Sequence, residues 1–209
     1  LCKSIIGQQI SVAAANSVFL RFKKKCNNKI NPKTVSKLTF TQLKSCGLSR
    51  QKVLGIKSLT KQILEKSFNP SLITKMSDEE AIIYLSSLRQ IGRWSAEMIL
   101  LFTYNRSNIW PIQDIGLLRA ISKNYKKKYL PPDKFVKLLK KRFSPYCSVA
   151  TWYLWRSIDP EPILFGDVLQ HDLQGYYVPL DILGNHSILK QFYNLGTQQQ
   201  LFLEILSHH

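Results

Sequence analysis

A chain of 209 residues with 44% hydrophobic and 11% aromatic content is long enough to bury a real core in one or at most two domains. Thirty Lys and Arg against 13 Asp and Glu give a formal charge of +17, a balance that favours a polyanionic partner, most simply nucleic acid, over a basic surface that is merely solvated or an anionic membrane. The four cysteines, Cys2, Cys26, Cys46 and Cys147, are far apart and form no C-x-x-C pair, which argues against a zinc site or a disulfide framework and for a reducing compartment.

No apolar run is long enough to span a membrane and no signal peptide is visible. The chain begins at Leu1 within an apolar-periodic pattern, so an N-terminal portion is expected to precede it. Residues 1–25 read as helix, turn, helix: Leu1, Ile5 and Ile6 share a face, residues 7–11 interrupt it, and Ser11 is an N-cap for the alanine-rich run whose buried stripe continues through Phe19, Leu20 and Phe22. After a polar loop ending in Asn31-Pro32, short helical pieces are expected over Thr34–Leu38 and Thr41–Cys46, with Gly47 ending the second in a left-handed conformation. Ser49 caps a longer helix over Arg50–Lys66, with apolar positions at helical period. Ser77 and Glu80 make a capping box before Ala81–Leu88. Pro131-Pro132-Asp133 opens a basic helix to Arg142, and Pro145 starts another over Tyr146–Arg156. No stretch before residue 160 alternates with period two. The expected fold is therefore all-α, with about ten short helices. Pro160-Glu161-Pro162 punctuates the chain, and residues 163–209 form a glycine- and histidine-bearing extension in which one amphipathic helix, near Ile188–Tyr193 or Gln198–Leu206, is expected.

The chemistry concentrates in residues 88–119, LRQIGRWSAEMILLFTYNRSNIWPIQDIGLLR. Gln90-Ile91-Gly92 is a turn that runs into a helix. Glycine at Gly92 permits unusual backbone angles and close approach, and free amides at the following helix N-terminus bind a phosphate without reading sequence. Arg93 adds charge. The same residues also fit an ordinary turn between packed helices. Asp114 is an acid in an apolar and basic setting beside Trp110, Pro111 and Ile115. It is read as either a helix cap or a functional carboxylate. Trp94, Trp110, Tyr153 and Trp155 are read either as walls of a pocket for an electron-poor ring or as core.

Taken together, GQQIS at 7–11, GLSRQK at 47–52, MSDEEA at 76–81, IGRWSAEMIL at 91–100, WPIQDIGL at 110–117 and FSPYCSVATWYLWRSIDPEP at 143–162 resemble the alkylated-base DNA glycosylases, the 3-methyladenine DNA glycosylase II branch of the helix–hairpin–helix glycosylase superfamily. The resemblance runs collinearly over residues 1–162, which implies one glycosylase domain there, with helices around a DNA-binding cleft. It implies Asp114 as the catalytic aspartate. It places Trp94, Met98, Trp110, Tyr153 and Trp155 at the base pocket. It puts Arg89, Gln90, Ile91, Gly92 and Arg93 on the DNA backbone, with a monovalent cation on hairpin carbonyls near Leu88 and Ile91. Gln8 and Gln9 lie where the family fills the gap left by a flipped base. Where the family hairpin has a proline and a first glycine, this chain has Arg89 and Gln90, so a residue with a side chain is expected at a positive φ. Trp94 stands where strand-cutting relatives carry a nucleophilic lysine, and Cys147 is the only cysteine in the C-terminal half. Both departures imply a monofunctional enzyme with no iron–sulfur cluster and no other cofactor. The implied partner is double-stranded DNA with alkylated bases, acted on by an intracellular monomer. A catalytically inactive helix–hairpin–helix DNA-binding module and a basic all-α RNA-binding protein are the competing readings.

Overall fold

The computed structural model describes residues 1–158; the extension expected over 163–209, with its amphipathic helix, lies outside them. The described residues contain ten α-helices and one 3-10 helix, and no strand. They fall into two compact units that divide at Leu100 and Leu101.

The first unit holds α1 (Cys2–Gly7), α2 (Val12–Lys25), α3 (Pro32–Ser36), α4 (Phe40–Lys44), α5 (Arg50–Leu64), a 3-10 turn (Pro70–Lys75) and α6 (Asp78–Ser86). Local chemistry sets most of these starts. Ser11 accepts from the Ala14 amide, Asn31 and Thr39 each make a reciprocal capping box, Ser49 accepts from the Lys52 amide, and Ser77 pairs reciprocally with Glu80. Each such cap stabilises its helix by about 1 kcal/mol. The 3-10 turn, which begins at Pro70 under an Asn69 cap, has no counterpart in the sequence expectations. Helix α5 is the frame of this unit: α1, α3 and α4 all pack on it. Its Val53, Ile56 and Leu59 are buried, three residues apart and so on one stripe.

One expected stripe is corrected. On α2 the buried residues are Val18 and Phe22, while Leu20 is 63% exposed. Positions i and i+4 share a helix face, and the residue midway between them points to the opposite side. Leu20 therefore faces out although the sequence reads apolar there.

Helix α7 (Arg93–Phe102) crosses the unit boundary. The second unit continues with α8 (Ile115–Asn124), α9 (Asp133–Phe143) and α10 (Cys147–Arg156), and α10 packs on both α8 and α9. On α9 the apolar Val136, Leu139 and Phe143 are buried, and Lys134, Lys137, Lys140 and Lys141 are exposed. That division follows the helical period. Among the described residues no helix is long and apolar enough to cross a membrane.

Gly47 ends the α4 segment at φ +93, as its position after the helix predicts. A Cβ there would also stand 2.9 Å from an Arg21 guanidinium nitrogen and 3.3 Å from Val18 Cγ2. That arginine donates at 2.8 Å to the Cys46 carbonyl. Gly47→Ala is therefore expected to lower the unfolding free energy by about 1–3 kcal/mol. Urea denaturation measures it, and an unchanged midpoint would mean that neither the left-handed angle nor the Arg21 contact constrains this site.

Candidate functional site

The hairpin between α6 and α7 closes on a bond from the Ile91 amide to the Leu88 carbonyl, 3.0 Å, with both side chains buried. The residue in the left-handed region is Gln90, at φ +69, as its place in the hairpin predicts. The expectation for Gly92 is corrected. Gly92 has no positive φ, and a Cβ added to it would meet nothing within 4 Å. The glycine therefore keeps the outer face of the turn bare rather than enabling the turn.

Two neighbours hold Gln90 where it is, and a third holds one of them. Its Cβ and Cγ lie over Gly55 in the middle of α5, so close that a Cβ on Gly55 would stand 3.2 and 2.9 Å from them. Its carbonyl accepts at 2.6 Å from the side-chain amide of Gln8, which also donates to Ser95 Oγ at 3.3 Å. The backbone of Gln8 is held in turn. Lys52, on α5, donates to the Ile6 carbonyl at 2.8 Å and to the Gln8 carbonyl at 2.6 Å. Burial pushes the Lys52 pKa below the usual lysine range. Gln9, the next residue, is exposed and itself left-handed at φ +57. The two glutamines expected to act alike thus differ: Gln8 is turned inward onto the hairpin, and Gln9 points to solvent.

Arg93 is not the unencumbered cation that its place beside the turn suggested. Its guanidinium meets both carboxylate oxygens of Glu79 at 2.6 and 2.7 Å, and Glu97 at 3.2 Å. Glu97 is 1% exposed. The Glu79 pairing, with the charge of Glu97 added, raises the Arg93 pKa. Arg89 is exposed and donates to Gln51 at 3.0 Å. Trp94 is 44% exposed in the first turn of α7. Met98 lies one turn on, on the same face and half-buried. Of the two residues expected to offer carbonyls to a cation, Leu88 accepts the Ile91 amide.

In the second unit Asp114 is the N-cap of α8: one carboxylate oxygen, Oδ1, accepts from the Leu117 amide at 2.6 Å. The same oxygen accepts from the Trp155 indole N–H at 2.7 Å. Asp114 is half-buried, so its carboxylate is oriented by two donors and still reachable. The cap and the functional carboxylate are compatible roles of one side chain.

Trp155 is 5% exposed and stacked on Phe102 at 6.1 Å. It orients the carboxylate and contributes little surface to a pocket wall. Gly116 makes the approach possible, since a Cβ there would stand 3.1 Å from both Asp114 Oδ1 and Trp155 Cδ1. Trp110 departs from its expected place. It is 4% exposed, donates its N–H to the Val136 carbonyl at 3.2 Å and lies 5.8 Å from the Phe143 ring. It is core, as an apolar indole with a buried partner for its one donor should be. Tyr153 is half-buried, set edge-on to Trp152, with its phenol pKa raised by burial. Two residues along α10 are about 200° apart, so Tyr153 and Trp155 do not form one wall.

Sequence reasoning missed Lys52, Gly55 and Gly116. A glycine inside a helix is unfavourable by about 1 kcal/mol against alanine, and that cost is a signal of close packing. Lys52 has no such signal among the many lysines. A cavity of about 400 Å³ lined by Phe19, Val35 and Leu59 contains none of the candidate site residues.

Residues 2–145 match the family model described as HhH-GPD superfamily base excision DNA repair protein. DNA-3-methyladenine glycosylase 1 of Schizosaccharomyces pombe is 30% identical over 164 residues, covering 75% of this chain and 70% of the relative. The alkylbase DNA glycosidase-like protein mag2 of the same yeast is 31% identical over 160 residues, covering 75% of each. The solved structure of the S. pombe 3-methyladenine DNA glycosylase in complex with abasic DNA superposes with a TM-score of 0.61 at 27% identity, over 75% of this chain and 77% of that one.

The bond from Trp155 to Asp114 has a direct test. Trp155→Phe keeps an aromatic ring and removes the donor. A hydrogen bond to a carboxylate contributes about 1–3 kcal/mol, so the variant is expected to unfold at correspondingly lower urea with an unchanged m-value. Stability equal to the parent would show that the indole does not hold Asp114.

Proposed function

The chain belongs to the HhH-GPD superfamily of base excision DNA repair proteins, and from that premise we propose that it is a monofunctional DNA glycosylase. It hydrolyses the N-glycosidic bond of alkylated purines, of the 3-methyladenine type, in duplex DNA. The observation that carries the reading is Asp114. A half-buried carboxylate is fixed at one oxygen by a backbone N–H and an indole N–H, and the sequence resemblance implies this residue as the family's catalytic aspartate.

The target base leaves the stack to be reached, and a damaged, poorly paired base does so most easily. Alkylation at a ring nitrogen makes the base cationic and already a good leaving group, so little acid catalysis is needed. As the glycosidic bond lengthens, positive charge grows on the sugar. The Asp114 carboxylate stabilises that charge, and fixed geometry makes the stabilisation effective because no reorganisation is needed at the moment of reaction. A water molecule completes the hydrolysis, oriented by the same carboxylate. Trp94, Met98 and Tyr153 are the proposed base-pocket residues. The hairpin 88–93 meets the DNA backbone with its bare face at Gly92, and its carbonyls near Leu88 and Ile91 would hold a monovalent cation. Gln9 fills the gap left by the extruded base. The enzyme acts as a monomer inside the cell, on chromosomal or organellar DNA.

Trp94 also supports the monofunctional assignment, because an indole cannot form the Schiff base that a lysine there forms in strand-cutting relatives. The alternative is an inactive helix–hairpin–helix DNA-binding module, favoured by the strained Gln90. Incubation with alkylated duplex DNA and chromatography of the released bases separates the two readings.

Asp114→Asn retains the helix cap, since asparagine caps as well as aspartate. It is expected to bind DNA normally and to release alkylated bases about a hundredfold or more slowly. Undiminished release would remove Asp114 from the mechanism. Borohydride added during turnover is expected to trap no protein–DNA adduct, and no strand is nicked without added base or lyase. A trapped adduct would contradict the monofunctional assignment.

A further inference from the structure

We propose that Lys52 is a positioning residue for base extrusion, holding the turn that presents Gln9 against the frame that also seats the hairpin. The inference rests on the glycosylase reading above. Its starting point is an oddity of placement. Most lysines of this chain are exposed, whereas Lys52 is drawn inward with its ammonium 2.8 Å from the Ile6 carbonyl and 2.6 Å from the Gln8 carbonyl. The first is a carbonyl of the last turn of α1, the negative end of a helix, where a cation is favourable.

The second bond decides the geometry of Gln9. The Gln8 carbonyl belongs to the peptide plane that enters Gln9, and φ of Gln9 is measured from that plane. Gln9 stands at φ +57, a region that a residue with a side chain keeps only when its surroundings over-determine it. Lys52 fixes the carbonyl of that peptide plane. Gln8 adds a second restraint through its side chain, which reaches the Gln90 carbonyl and Ser95. One helical turn along α5, Gly55 receives the side chain of Gln90. Residues i and i+3 lie on one face of a helix, so a single face of α5 holds both the turn that carries Gln9 and the hairpin. Without the ammonium the Gln8 carbonyl loses its partner, the turn relaxes toward negative φ, and Gln9 no longer projects into the gap left by the base.

The test compares wild type, Lys52→Met, Lys52→Arg, Gln9→Ala and the double variant Lys52→Met/Gln9→Ala. Three quantities are measured: the dissociation constant for undamaged duplex, single-turnover release of 3-methyladenine, and the fluorescence of a 2-aminopurine placed beside the lesion, which rises when stacking is lost. Lys52→Met is expected to bind undamaged duplex within about twofold of wild type, because the cation is not a phosphate contact. Base release falls about tenfold to a hundredfold, as small misplacements of a positioning group do, and the fluorescence rise falls with it. Lys52→Arg, which also donates to carbonyls, restores most of both. The double variant is no worse than the more impaired single variant, since both act through one element. Should Lys52→Met fail to fold, Lys52→Gln, whose shorter amide spans at most one of the two carbonyls, takes its place in the same comparison. Wild-type release with an unimpaired Lys52→Met, or losses that multiply in the double variant, would overturn the inference alone. A wild type that releases no base would overturn the glycosylase reading and this inference with it.

Discussion

A glutamine held at φ +69 in the hairpin is the constraint to which much of the first unit is fitted. A residue with a Cβ is destabilised by about 1–2 kcal/mol in the left-handed region, and nothing within Gln90 relieves that. The relief is external. Gly55 leaves out a side chain in mid-helix so that Gln90 can lie against α5, and Gln8 supplies a hydrogen bond of 2.6 Å to the Gln90 carbonyl. One such bond contributes about 1 kcal/mol, and the packing over Gly55 adds to it, so the local strain and its compensations are of the same size. The hairpin keeps its shape with an atypical residue because the helix beneath it and the turn beside it are shaped to match.

A similar economy governs Asp114. Its Oδ1 accepts from the Leu117 amide and from the Trp155 indole, so one atom starts α8 and is tied to α10. A mobile carboxylate loses orientation when charge develops nearby; a carboxylate locked at one oxygen does not. Gly116, two residues on, removes the Cβ that would block the indole. In the proposed reaction the structural role is therefore a condition of the chemical one. That explains why reading the residue as a cap and reading it as a catalyst need not compete.

Much of the architecture was legible in the sequence because its determinants are local. Ser11, Ser49 and the Ser77–Glu80 pair cap the helices they precede, and Gly47 sits left-handed after α4. The candidate site was legible as a set of positions and less so as a set of roles. Gly92 was read as the residue with special backbone angles, but the turn places that conformation two residues earlier. Trp110 and Trp155 look alike in sequence. Only packing shows that one indole donates to the Val136 carbonyl and the other to Asp114, because the direction of an N–H depends on which helices meet. Lys52 was invisible for a different reason. In a chain with thirty basic residues, composition cannot single out the ammonium that faces inward.

The charges themselves divide into two kinds. Around the hairpin, Arg93 is met by both Glu79 and Glu97, so its charge is compensated locally. A guanidinium already paired with two carboxylates has less charge to offer a phosphate. The attraction expected from a charge of +17 must come from the exposed lysines distributed over helices such as α9, acting over roughly a Debye length of 8–10 Å. In the proposed function the hairpin then grips by shape: a bare turn at Gly92, backbone amides, and the exposed Arg89 at its rim. On that proposal long-range charge brings the polyanion in and short-range backbone geometry sets its register, while the Arg93–Glu79 pair ties the start of α7 to α6.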